Sequence, residues 1–558
     1  MSMSSEERRR RVHRAVMAQK REGAGEGAYR NDQYDDTGAQ GFRGRALEGG
    51  DHESASYRRP AGTSMQGPQN HGKRSSARRR SGYGTGMKRR KRRRTPRLLR
   101  LLPFLLLLLL LIVLAVFLVR GAGKLISGLR AANAPQETET TALETEPETT
   151  TAAAVEESLA AAKKLAMMYD YDGAIALLKD DSTVSADPEA QAAIAEYEEI
   201  KTTLVRQDPK TVTHVFFHTL MVDPENSLDK SKWGKQADGY NSLMTSISEF
   251  RKMLDELYAD GFVLVRLHDL ASMQEQADGS QKMTEGDILL PEGKKAMVMS
   301  QDDVCYYEYM EGAGFADRMI IGEDGRPTCV YVDANGEEQI GEYDLVPILD
   351  KFIDEHPDFS YKGAKACIAF TGYNGILGYR TDETYDQSSD MYDPEKKANP
   401  NIAQDRETAK QVAAALVADG YELASHSWGH RDMGAISLEK LKTDTDRWDR
   451  NVNQALLGGT CDIILYPKGA DVADWHGYSH DNEKFNYLWD KGFRYFCNVD
   501  TSVAWVQIGE DYLRQGRRPL DGLNLWNDIG GGKNRLSDLF ADPSAIFDPA
   551  RPTPVPGY

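Results

Sequence analysis

The part of the chain after about residue 207 is predicted to fold as an α/β domain whose parallel strands are covered by helices. Short apolar runs such as VTHVFFHTL and YELASH recur between residues 211 and 527, and amphipathic stretches separate them. Apolar runs bounded by polar segments indicate buried strands, and strand–helix alternation favours a parallel sheet. In such sheets the chemistry lies at the C-terminal ends of the strands, where polar residues are therefore of most interest.

Seven apolar runs account for the predicted strands, in the order VTHVFFHTL, GFVLVRL, AMVMSQDD, ACIAFTG, YELASH, DIILYPKG and FRYFCNVD. Four amphipathic segments account for the predicted helices, in the order LVPILDKFIDEH, ETAKQVAAALVADG, SLEKLKTDTDRWDRNVNQALLG and NEKFNYLWDKG. Residues 305–344 interrupt the alternation, and their segment IGEDGRPTCVYVDANGEEQIGEYD predicts a β-hairpin that turns at Asn335-Gly336.

Ahead of this domain, residues 98–120 are predicted to form a transmembrane helix. Residues 101–119 carry no polar side chain and would extend about 28 Å as a helix, which matches the hydrocarbon core of a bilayer. The run is longer than the apolar segment of a signal peptide, so an uncleaved anchor is favoured over a cleaved leader. Basic residues at 88–94 predict a cytoplasmic N-terminus and an extracellular C-terminal domain at the cell membrane.

Charge and composition divide the rest of the chain. The net charge of −17 combines a basic region before residue 120 with an acidic remainder. Residues 1–97 are predicted to be a disordered basic cytoplasmic tail, residues 121–157 a Thr/Glu-rich linker, and residues 158–206 a helical stalk resembling one tetratricopeptide unit. The tail lacks interleaved aromatic and basic residues, so no nucleic-acid partner is expected.

Two predicted strands end in residues that metal chemistry can use. The run AMVM leads into Asp302 and Asp303, and YELAS leads into His426 and His430. Adjacent carboxylates repel each other unless a cation or a shared proton relieves them. Histidines four residues apart would lie on one face of a helical turn and could meet one ion. One carboxylate and two imidazoles suit Zn²⁺ or a similar cation, which leaves Asp302 as a general base.

Each pair has an ordinary explanation when it is taken alone. An Asp-Asp pair is usually a solvated turn or a helix cap, and a His-x-x-x-His spacing arises by chance in many helices. The five cysteines are scattered without a C-x-x-C pair, which excludes a thiolate zinc finger and a disulfide-dense scaffold. The occurrence of both pairs at strand ends of one α/β domain makes a metal site the stronger interpretation.

These motifs resemble those of the polysaccharide deacetylase (NodB-homology) family, carbohydrate esterase family 4, over about residues 211–527. The family's Thr-Phe-Asp-Asp-Gly motif is matched by residues 300–304, and its His-Ser-x-x-His motif is intact at residues 426–430. The resemblance implies a distorted (β/α)7 barrel. It also implies that Asp302 is the catalytic base and that the metal ligands are Asp303, His426 and His430.

The resemblance extends to two substrate-binding motifs. The third motif, which ends in Pro-Tyr-Gly, is similar to the segment Tyr466-Pro467-Lys468-Gly469, and the Tyr466 backbone amide is the expected oxyanion donor. Asp500 and Trp505 resemble the fourth motif, which forms a wall of the substrate groove. Tyr466, Pro467, Asp500 and Trp505 are therefore predicted to contact the substrate.

The chain also departs from the family pattern. Gln301 and Val304 replace the usual Phe and Gly, and Leu465 stands where many members place an arginine that contacts the base. The Leu-x-His that supplies the general acid in most members is missing near the C-terminus. A subgroup acting on exopolysaccharides takes this histidine from an N-terminal Tyr-His element, which Phe217-His218 resembles. His218 is accordingly the candidate acid, with a core or capping histidine as the alternative.

Residues 207–558 are thus interpreted as the catalytic domain of a metal-dependent hydrolase that removes N-acetyl groups from amino sugars of peptidoglycan or an exopolysaccharide. The expected cofactor is a divalent metal, Zn²⁺ first, with Co²⁺, Ni²⁺ or Mn²⁺ as alternatives. The expected partners are an acetylated amino-sugar polymer and, through a single-pass anchor, the membrane; the oligomeric state stays open. The alternatives are a non-catalytic glycan-binding envelope protein and an O-acetyl esterase on the same fold.

Overall fold

The structure, a computed structural model, describes residues 146–473, 476–500, 504–531 and 535–557. The predicted basic tail, the predicted transmembrane segment 98–120 and the first part of the predicted linker lie outside these residues. Among the helices that are described, none is both long and apolar enough to cross a membrane.

The centre of the fold is a closed barrel of seven parallel strands. In chain order the strands are β1 (Thr213–Phe217), β2 (Lys295–Gln301), β3 (Cys367–Phe370), β4 (Glu422–Ser425), β5 (Ile463–Leu465), β6 (Tyr495–Val499) and β7 (Leu513–Pro519). Each strand pairs in parallel with the next one along the chain, and β7 returns to pair with β1. The predicted α/β class and seven-stranded barrel are confirmed.

The strands divide their side chains between two apolar clusters, as the two-residue period of a strand requires. Met299, Ile368 and Phe496 pack outward against the surrounding helices in the larger cluster. Val298 and Leu465 belong to the second cluster, whose members alternate with the first along each strand and therefore fill the interior of the barrel. Successive side chains of each barrel strand therefore point alternately toward the helices and into the barrel interior.

Six of the seven predicted strands form β1 to β6. The predicted strand GFVLVRL forms only Phe262–Leu264, an additional strand that pairs with the beginning of β2 outside the closed ring. The seventh barrel strand, β7, was missed because its sequence LRQGRRP lacks the apolar run on which the strand predictions depend. Its buried positions carry arginine and glutamine instead, which is the first sign that the barrel interior is polar near this strand.

Smaller antiparallel pairings decorate the barrel. They comprise Val205–Arg206 with Leu289–Leu290, Ala271–Glu275 with Gln281–Glu285, Trp505–Ile508 with β7, and the three-stranded sheet Arg318–Ile321, Pro327–Val332 and Glu338–Gly341. The last two strands of that sheet form the predicted hairpin, and Gly336 adopts a φ of 82° in its turn, a conformation that glycine tolerates at little cost.

The α-helices lie mainly between the strands. Their bounds are Glu146–Met167, Tyr171–Asp180, Ser182–Ser185, Pro188–Lys201, Pro224–Ser227, Lys230–Trp233, Lys235–Leu243, Ile247–Ala259, Leu267–Leu270, Leu345–Glu355, Ile402–Ala418, Leu438–Trp448, Glu483–Asp490, Gly522–Gly531 and Pro543–Ile546. All four predicted helices are present. The sequence prediction omitted Ile247–Ala259, although Ser246 and Glu249 form a reciprocal capping box at its start.

The helical segment before the barrel packs on itself and also contacts the barrel domain, where the Lys362 amide donates to the Met168 carbonyl oxygen at 2.7 Å. Asp170 caps the helix Tyr171–Asp180 by accepting the Gly173 amide, as the Tyr-Asp-Tyr-Asp-Gly turn suggests. Tyr169 stacks near the ring of Tyr361 and donates to the carbonyl oxygen of Asp358 at 2.8 Å. The helices have their own small apolar cluster, so most of their buried surface is internal to the segment.

Candidate active site

Three potential metal ligands converge at the C-terminal end of the barrel. Asp303 follows β2, whereas His426 and His430 lie in the loop after β4. One ligand atom from each side chain lies within 4.8 Å of the other two. Two imidazole nitrogens and one carboxylate oxygen form a donor set that suits Zn²⁺ and similar borderline cations. The structure therefore brings together the three residues that the sequence nominated as ligands, and their chemistry fits a divalent metal.

His426 is held with its Nε2 atom toward the carboxylates. Its Nδ1–H donates to the carbonyl oxygen of Leu465 at 2.7 Å, which leaves the Nε2 lone pair for a ligand. Nε2 lies 3.9 Å from Asp303 Oδ1 and 3.8 Å from Asp302 Oδ2. Proteins commonly orient metal-binding histidines through such a hydrogen bond from the other ring nitrogen. The backbone of β5 thus fixes the tautomer of this candidate ligand.

Asp303 is oriented by a tyrosine that the sequence prediction missed. The Tyr307 hydroxyl donates to Asp303 Oδ1 at 2.6 Å and lies 2.8 Å from Thr371 Oγ1. Asp303 Oδ2 lies 3.7 Å from His430 Nε2. Burial alone would raise the pKa of Asp303, but His430 and His426 outweigh it and lower the pKa. The carboxylate is therefore ionised, as a metal ligand must be.

The loop that carries both histidines is not the helical turn expected from their spacing. Ser427 and His430 adopt left-handed φ angles of 59° and 51°, which carry steric strain for residues other than glycine. The carboxylate of Asp444, on the helix Leu438–Trp448, accepts the amides of Trp428 at 2.7 Å and Gly429 at 2.9 Å. Asp444 therefore supports the strained loop from outside the motif, at a distance in sequence that no spacing rule reveals.

Asp302, the predicted base, forms a buried ion pair with Arg517. Arg517 Nη1 lies 2.6 Å from Asp302 Oδ1, and the two side chains are 0% and 3% exposed. Burial alone would raise the pKa of Asp302, but Arg517 first and His426 next lower it to about 2. The side chain is consequently an ionised carboxylate whose Oδ2 atom points toward the histidine side of the site.

A polar chain through the barrel interior leads to this ion pair. Gln515 Oε1 lies 3.0 Å from His214 Nδ1, and His214 Nε2 lies 2.8 Å from Ser300 Oγ, which is 3.5 Å from Arg517 Nη1. Burial, assisted by Arg517, lowers the pKa of His214 to about 3, so its imidazole is neutral. Because Gln515 Oε1 accepts the proton on His214 Nδ1, Nε2 carries no proton and accepts the hydrogen bond of the Ser300 hydroxyl. The interior residues next to Arg517 are therefore neutral hydrogen-bonding groups.

Arg517 is the principal residue that the sequence prediction missed. The sequence predicts that the motif arginine is absent, because Leu465 occupies its place. The sequence carries no clear signal for this strand, because Arg514, Gln515, Arg517 and Arg518 place polar side chains on both of its faces. A strand is recognised from sequence by an apolar run or by two-residue alternation of apolar and polar residues, and this segment has neither.

His218, the candidate acid, lies just after β1 at the same end of the barrel. Its Nδ1–H donates to the carbonyl oxygen of Leu243 at 3.1 Å, which leaves Nε2 as the ring nitrogen that can exchange a proton. His218 also lowers the pKa of Asp303, although less than His430 and His426 do. The imidazole therefore lies within electrostatic range of the candidate metal ligands.

The structure places the third motif differently from the expectation. The Tyr466 side chain is fully buried, and its hydroxyl lies 2.8 Å from that of Tyr478. The Tyr466 amide donates to the Cys497 carbonyl oxygen at 2.9 Å within the sheet, so it is not free to bind an oxyanion without losing this bond. Pro467 is also buried, and it begins the turn that sets Lys468 at a φ of 58°.

Asp500 and Trp505 meet at the end of β6. Trp505 Nε1 donates to Asp500 Oδ2 at 3.2 Å, and the Asp500 amide donates to the Arg517 carbonyl oxygen at 2.9 Å. The indole lies over Gly516, where a Cβ atom would approach Trp505 Nε1 to 2.4 Å. A side chain at position 516 would therefore displace the indole. Both residues remain candidates for a wall of a substrate groove.

The departures in the first motif have structural partners of their own. Gln301 is buried on the helix side of β2 and donates to Asp344 Oδ1 at 2.7 Å. Asp344 also accepts the Leu220 amide at 3.0 Å and the Tyr306 hydroxyl at 2.8 Å. Val304 is fully buried, and its amide donates to the Ala369 carbonyl oxygen at 3.1 Å. Gln301 therefore belongs to a polar cluster behind the Asp pair rather than to the ligand set.

A comparison with protein families identifies part of this site. The family model for polysaccharide deacetylases matches residues 395–488, which include β4, β5 and the two candidate ligand histidines, His426 and His430. This match supports a polysaccharide deacetylase domain within the chain. A search of curated proteins gave no match.

Solved structures similar to this chain include a deacetylase, a candidate polysaccharide deacetylase and a mutant of a pseudoenzyme. The Streptococcus pyogenes deacetylase PplD in complex with acetate is 15% identical over 58% of this chain and 97% of PplD, with a TM-score of 0.30. BA0330 from Bacillus anthracis, named as a candidate polysaccharide deacetylase, is 12% identical over 57% of this chain and 65% of its own, with a TM-score of 0.29. A BA3943 mutant, a carbohydrate esterase family 4 pseudoenzyme with restored enzymatic activity, is 11% identical over 32% of this chain and 68% of its own, with a TM-score of 0.16. The barrel assignment follows from the strand pairing and not from these likenesses.

Proposed function

We propose that this chain is a metal-dependent hydrolase that removes N-acetyl groups from amino-sugar residues of peptidoglycan or an exopolysaccharide. The observation that carries the proposal is the convergence of Asp303, His426 and His430 within 4.8 Å of one another, beside the ionised Asp302. The polysaccharide deacetylase match over residues 395–488 supports an acetylated polysaccharide as the substrate.

Asp303, His426 and His430 would hold the divalent metal, for which Zn²⁺ is our first choice and Co²⁺, Ni²⁺ or Mn²⁺ are alternatives. The bound cation would supply Lewis acidity, which polarises the acetyl carbonyl and acidifies the attacking water. Asp302 is a weak base because its pKa is low, so it can take a proton only from a water acidified in this way. The orientation of the ligands comes from the protein itself. Leu465 directs His426 through its carbonyl oxygen, and Tyr307 directs Asp303 through its hydroxyl.

Asp302 is the proposed general base. Its Oδ1 atom is occupied by Arg517 at 2.6 Å, so Oδ2 is the oxygen that remains to accept the proton of the attacking water. The ion pair holds the carboxylate in one orientation and keeps it charged until the proton arrives. Because the group is buried, this geometry is fixed before the substrate binds, which lowers the entropic cost of reaching the transition state.

His218 is the proposed general acid, and it protonates the leaving amine through Nε2. Amide hydrolysis needs this proton because an unprotonated amine is a very poor leaving group, and general acids typically contribute about 10²- to 10⁴-fold in rate. The hydrogen bond from Nδ1 to the Leu243 carbonyl oxygen orients the ring for this transfer. Asp500 and Trp505 are proposed to form a wall of the groove that receives the polymer.

The site is proposed to face the cell exterior. Residues 101–119 are uniformly apolar and follow a basic cluster at 88–94, which supports a single membrane anchor with a cytoplasmic N-terminus. The Thr/Glu-rich linker and the helical segment would then hold the barrel away from the membrane, where it meets envelope or extracellular polymer. Detection of the barrel by an impermeant label on intact cells tests this orientation.

The function is tested by measuring acetate released from N-acetylglucosamine oligomers, peptidoglycan and an O-acetylated xylan. The full-length chain is used after chelator treatment and after reloading with Zn²⁺. We expect release from an N-acetylated substrate that disappears with the metal and returns on reloading. Asp303→Ala should lose bound metal and activity together, whereas Asp278→Ala, in a surface turn, should retain both.

Other outcomes point to the alternatives. Release from O-acetylated xylan alone would replace the proposal with an esterase. Polymer binding without release from any substrate, in a chain that carries stoichiometric metal, would replace it with a glycan-binding protein. Acetate release by Asp303→Ala without bound metal would contradict the metal-dependent mechanism itself.

A further inference from the structure

The C-terminal segment 543–557 forms a strap over the loop 241–246. This loop comprises the C-terminal end of the helix Lys235–Leu243 and residues 244–246, which lead into the helix Ile247–Ala259. Asn241 Nδ2 donates to the Pro552 carbonyl oxygen at 2.8 Å, and Ser242 Oγ donates to the Pro556 carbonyl oxygen at 2.7 Å. The loop and the strap are thus hydrogen-bonded to each other along several residues, although they are about three hundred positions apart in sequence.

Arg551 is the buried centre of the strap. Its guanidinium forms an ion pair with Glu249 in which both side chains are 0% exposed, with Nε to Oε1 and Nη2 to Oε2 each at 2.6 Å. Arg551 Nη1 donates to the Asn241 carbonyl oxygen at 2.8 Å, and Nη2 donates to the Met244 carbonyl oxygen at 2.6 Å. A planar guanidinium can make such forked contacts in fixed directions, whereas a lysine ammonium cannot reproduce them.

The two backbone carbonyls that Arg551 holds lie on either side of Leu243, whose own carbonyl accepts the His218 Nδ1–H. His218 and Arg551 also share a buried neighbour, Asp521. Burial raises the pKa of Asp521, and both His218 and Arg551 oppose this rise. Strap, loop and imidazole therefore occupy one region at the C-terminal end of the barrel.

We propose that Arg551 is a positioning residue for His218, acting through the loop 241–246. This inference rests on the proposed function, in which His218 is the general acid. The C-terminal strap then takes part in catalysis without supplying a catalytic side chain. It fixes the direction of the Leu243 carbonyl, which fixes the imidazole plane and the direction of Nε2. A loop free to rotate this carbonyl would leave the acid in several orientations, and only some would protonate the leaving amine.

The test compares a substrate that needs the acid with one that does not. Hydrolysis of an N-acetylglucosamine oligomer expels an amine, which needs protonation, whereas hydrolysis of 4-nitrophenyl acetate expels 4-nitrophenolate, which is stable without a proton. The full-length, Zn²⁺-loaded chain is measured as wild type, His218→Ala, Arg551→Lys and the double variant. Arg551→Lys keeps a cation against Glu249, which limits the loss of stability. Lys252→Ala is the matched control, because Lys252 also holds the strap, through the Ala545 carbonyl oxygen at 3.0 Å, without touching the loop.

We expect Arg551→Lys to lower kcat for the oligomer by about 10-fold or more, which is part of the about 10²- to 10⁴-fold that a general acid supplies. The same variant should change kcat for 4-nitrophenyl acetate by less than about 2-fold. The double variant should be no slower than His218→Ala, and Lys252→Ala should behave like wild type on both substrates. A purely structural role for Arg551 would slow both substrates alike.

Equal losses on the two substrates, or a further loss when Arg551→Lys is added to His218→Ala, would overturn the inference while the proposed function stands. A wild-type chain that releases no acetate from the oligomer, or a His218→Ala variant as fast as wild type, would overturn the proposed mechanism and with it this inference. Measured Zn²⁺ content in each variant separates these outcomes from loss of the metal.

Discussion

Arg517 reaches Asp302 from β7, although the motif position where many polysaccharide deacetylases carry an arginine is occupied by Leu465. Leu465 and Arg517 both belong to strands whose alternate residues face the barrel interior, and their strands are separated only by β6. A guanidinium from either side can therefore approach the same carboxylate. The contact that orients a base is set by position in space, so a missing motif residue does not by itself imply a missing interaction.

Arg517→Met is expected to lower kcat for acetate release by about 100-fold, because a base displaced by about 1 Å loses catalysis on that scale. The variant should also be destabilised by about 3–5 kcal/mol, since Asp302 is left as an unpaired buried charge. The metal ligands do not contact Arg517, so bound Zn²⁺ should remain near the wild-type level. Chemical denaturation, metal analysis and steady-state kinetics on the folded fraction measure the three effects separately.

Arg514→Met provides the matched control for that variant. Arg514 lies on the same strand, is 1% exposed, and pairs with Asp471 at 2.6 Å, away from the Asp302 carboxylate. It should lose a comparable amount of stability while kcat per folded molecule stays within about 2-fold of wild type. Comparable losses of kcat in the two variants would mean that Arg517 acts through general stability of the barrel and not through the base.

At the scale of elements, the helix Leu438–Trp448 has a role that its sequence does not suggest. Asp444 projects from this helix and accepts two successive amides of the histidine loop. Both Ser427 and His430 in that loop have left-handed backbone angles, so the loop needs external support to keep its shape. The helix therefore helps to determine where the two candidate ligands point, although it contributes no ligand itself.

Asp444→Asn is expected to weaken Zn²⁺ binding by about 10- to 100-fold, which is the usual effect of removing a group that supports metal ligands. The two carboxylate oxygens accept one amide each, and an asparagine would turn its own NH₂ group toward one of these donors. Competition with a chromophoric chelator measures the affinity. Asp446→Asn, which alters a partly exposed carboxylate on the same helix, should leave it unchanged. Equal affinities in the wild type and Asp444→Asn would show that the loop keeps its shape without this support.

The elements that could be predicted from the sequence are those whose buried faces are apolar. The strands β1 to β6 each contain an apolar run, and Asp302, Asp303, His426 and His430 follow such runs directly. The strand β7 could not be predicted in this way, because Gln515 and Arg517 face the interior and bond to His214 and Asp302 instead of packing against apolar side chains. The backbone shape of the histidine loop and the use of the Tyr466 amide also depend on contacts far away in sequence, which no local pattern reports.

At the scale of the whole molecule, a second cluster of charges lies at the opposite end of the barrel from the candidate site. His268 Nδ1 contacts Glu422 Oε1 at 2.5 Å, and its Nε2 contacts Asp462 Oδ2 at 3.2 Å. Glu422 begins β4, and Asp462 directly precedes β5. Glu422 also accepts the Leu267 amide at 2.8 Å. This imidazole therefore ties the beginnings of two neighbouring strands to the helix Leu267–Leu270 by charge.

His268→Asn should reveal how this link stabilises the barrel as pH changes. Burial would lower the pKa of His268, but hydrogen bonds to Asp462 and Glu422 outweigh it and raise the pKa from 6.5 to about 10. A group with a raised folded-state pKa stabilises the fold fully below its unfolded pKa, and the contribution disappears as pH rises through the folded pKa. The wild type should therefore exceed His268→Asn in free energy of unfolding at pH 6, by about 1 kcal/mol because the imidazole is 41% exposed and screened by solvent. The difference should decline between pH 6.5 and 10 and shrink at high salt, since exposed ion pairs are screened.

Denaturant unfolding of both chains across this range provides the measurement, with Zn²⁺-dependent acetate release at neutral pH as the control that the candidate site is unaffected. A difference that grows toward pH 10 would mean that His268 is held as a neutral ring, and that packing rather than charge joins the strands at this end.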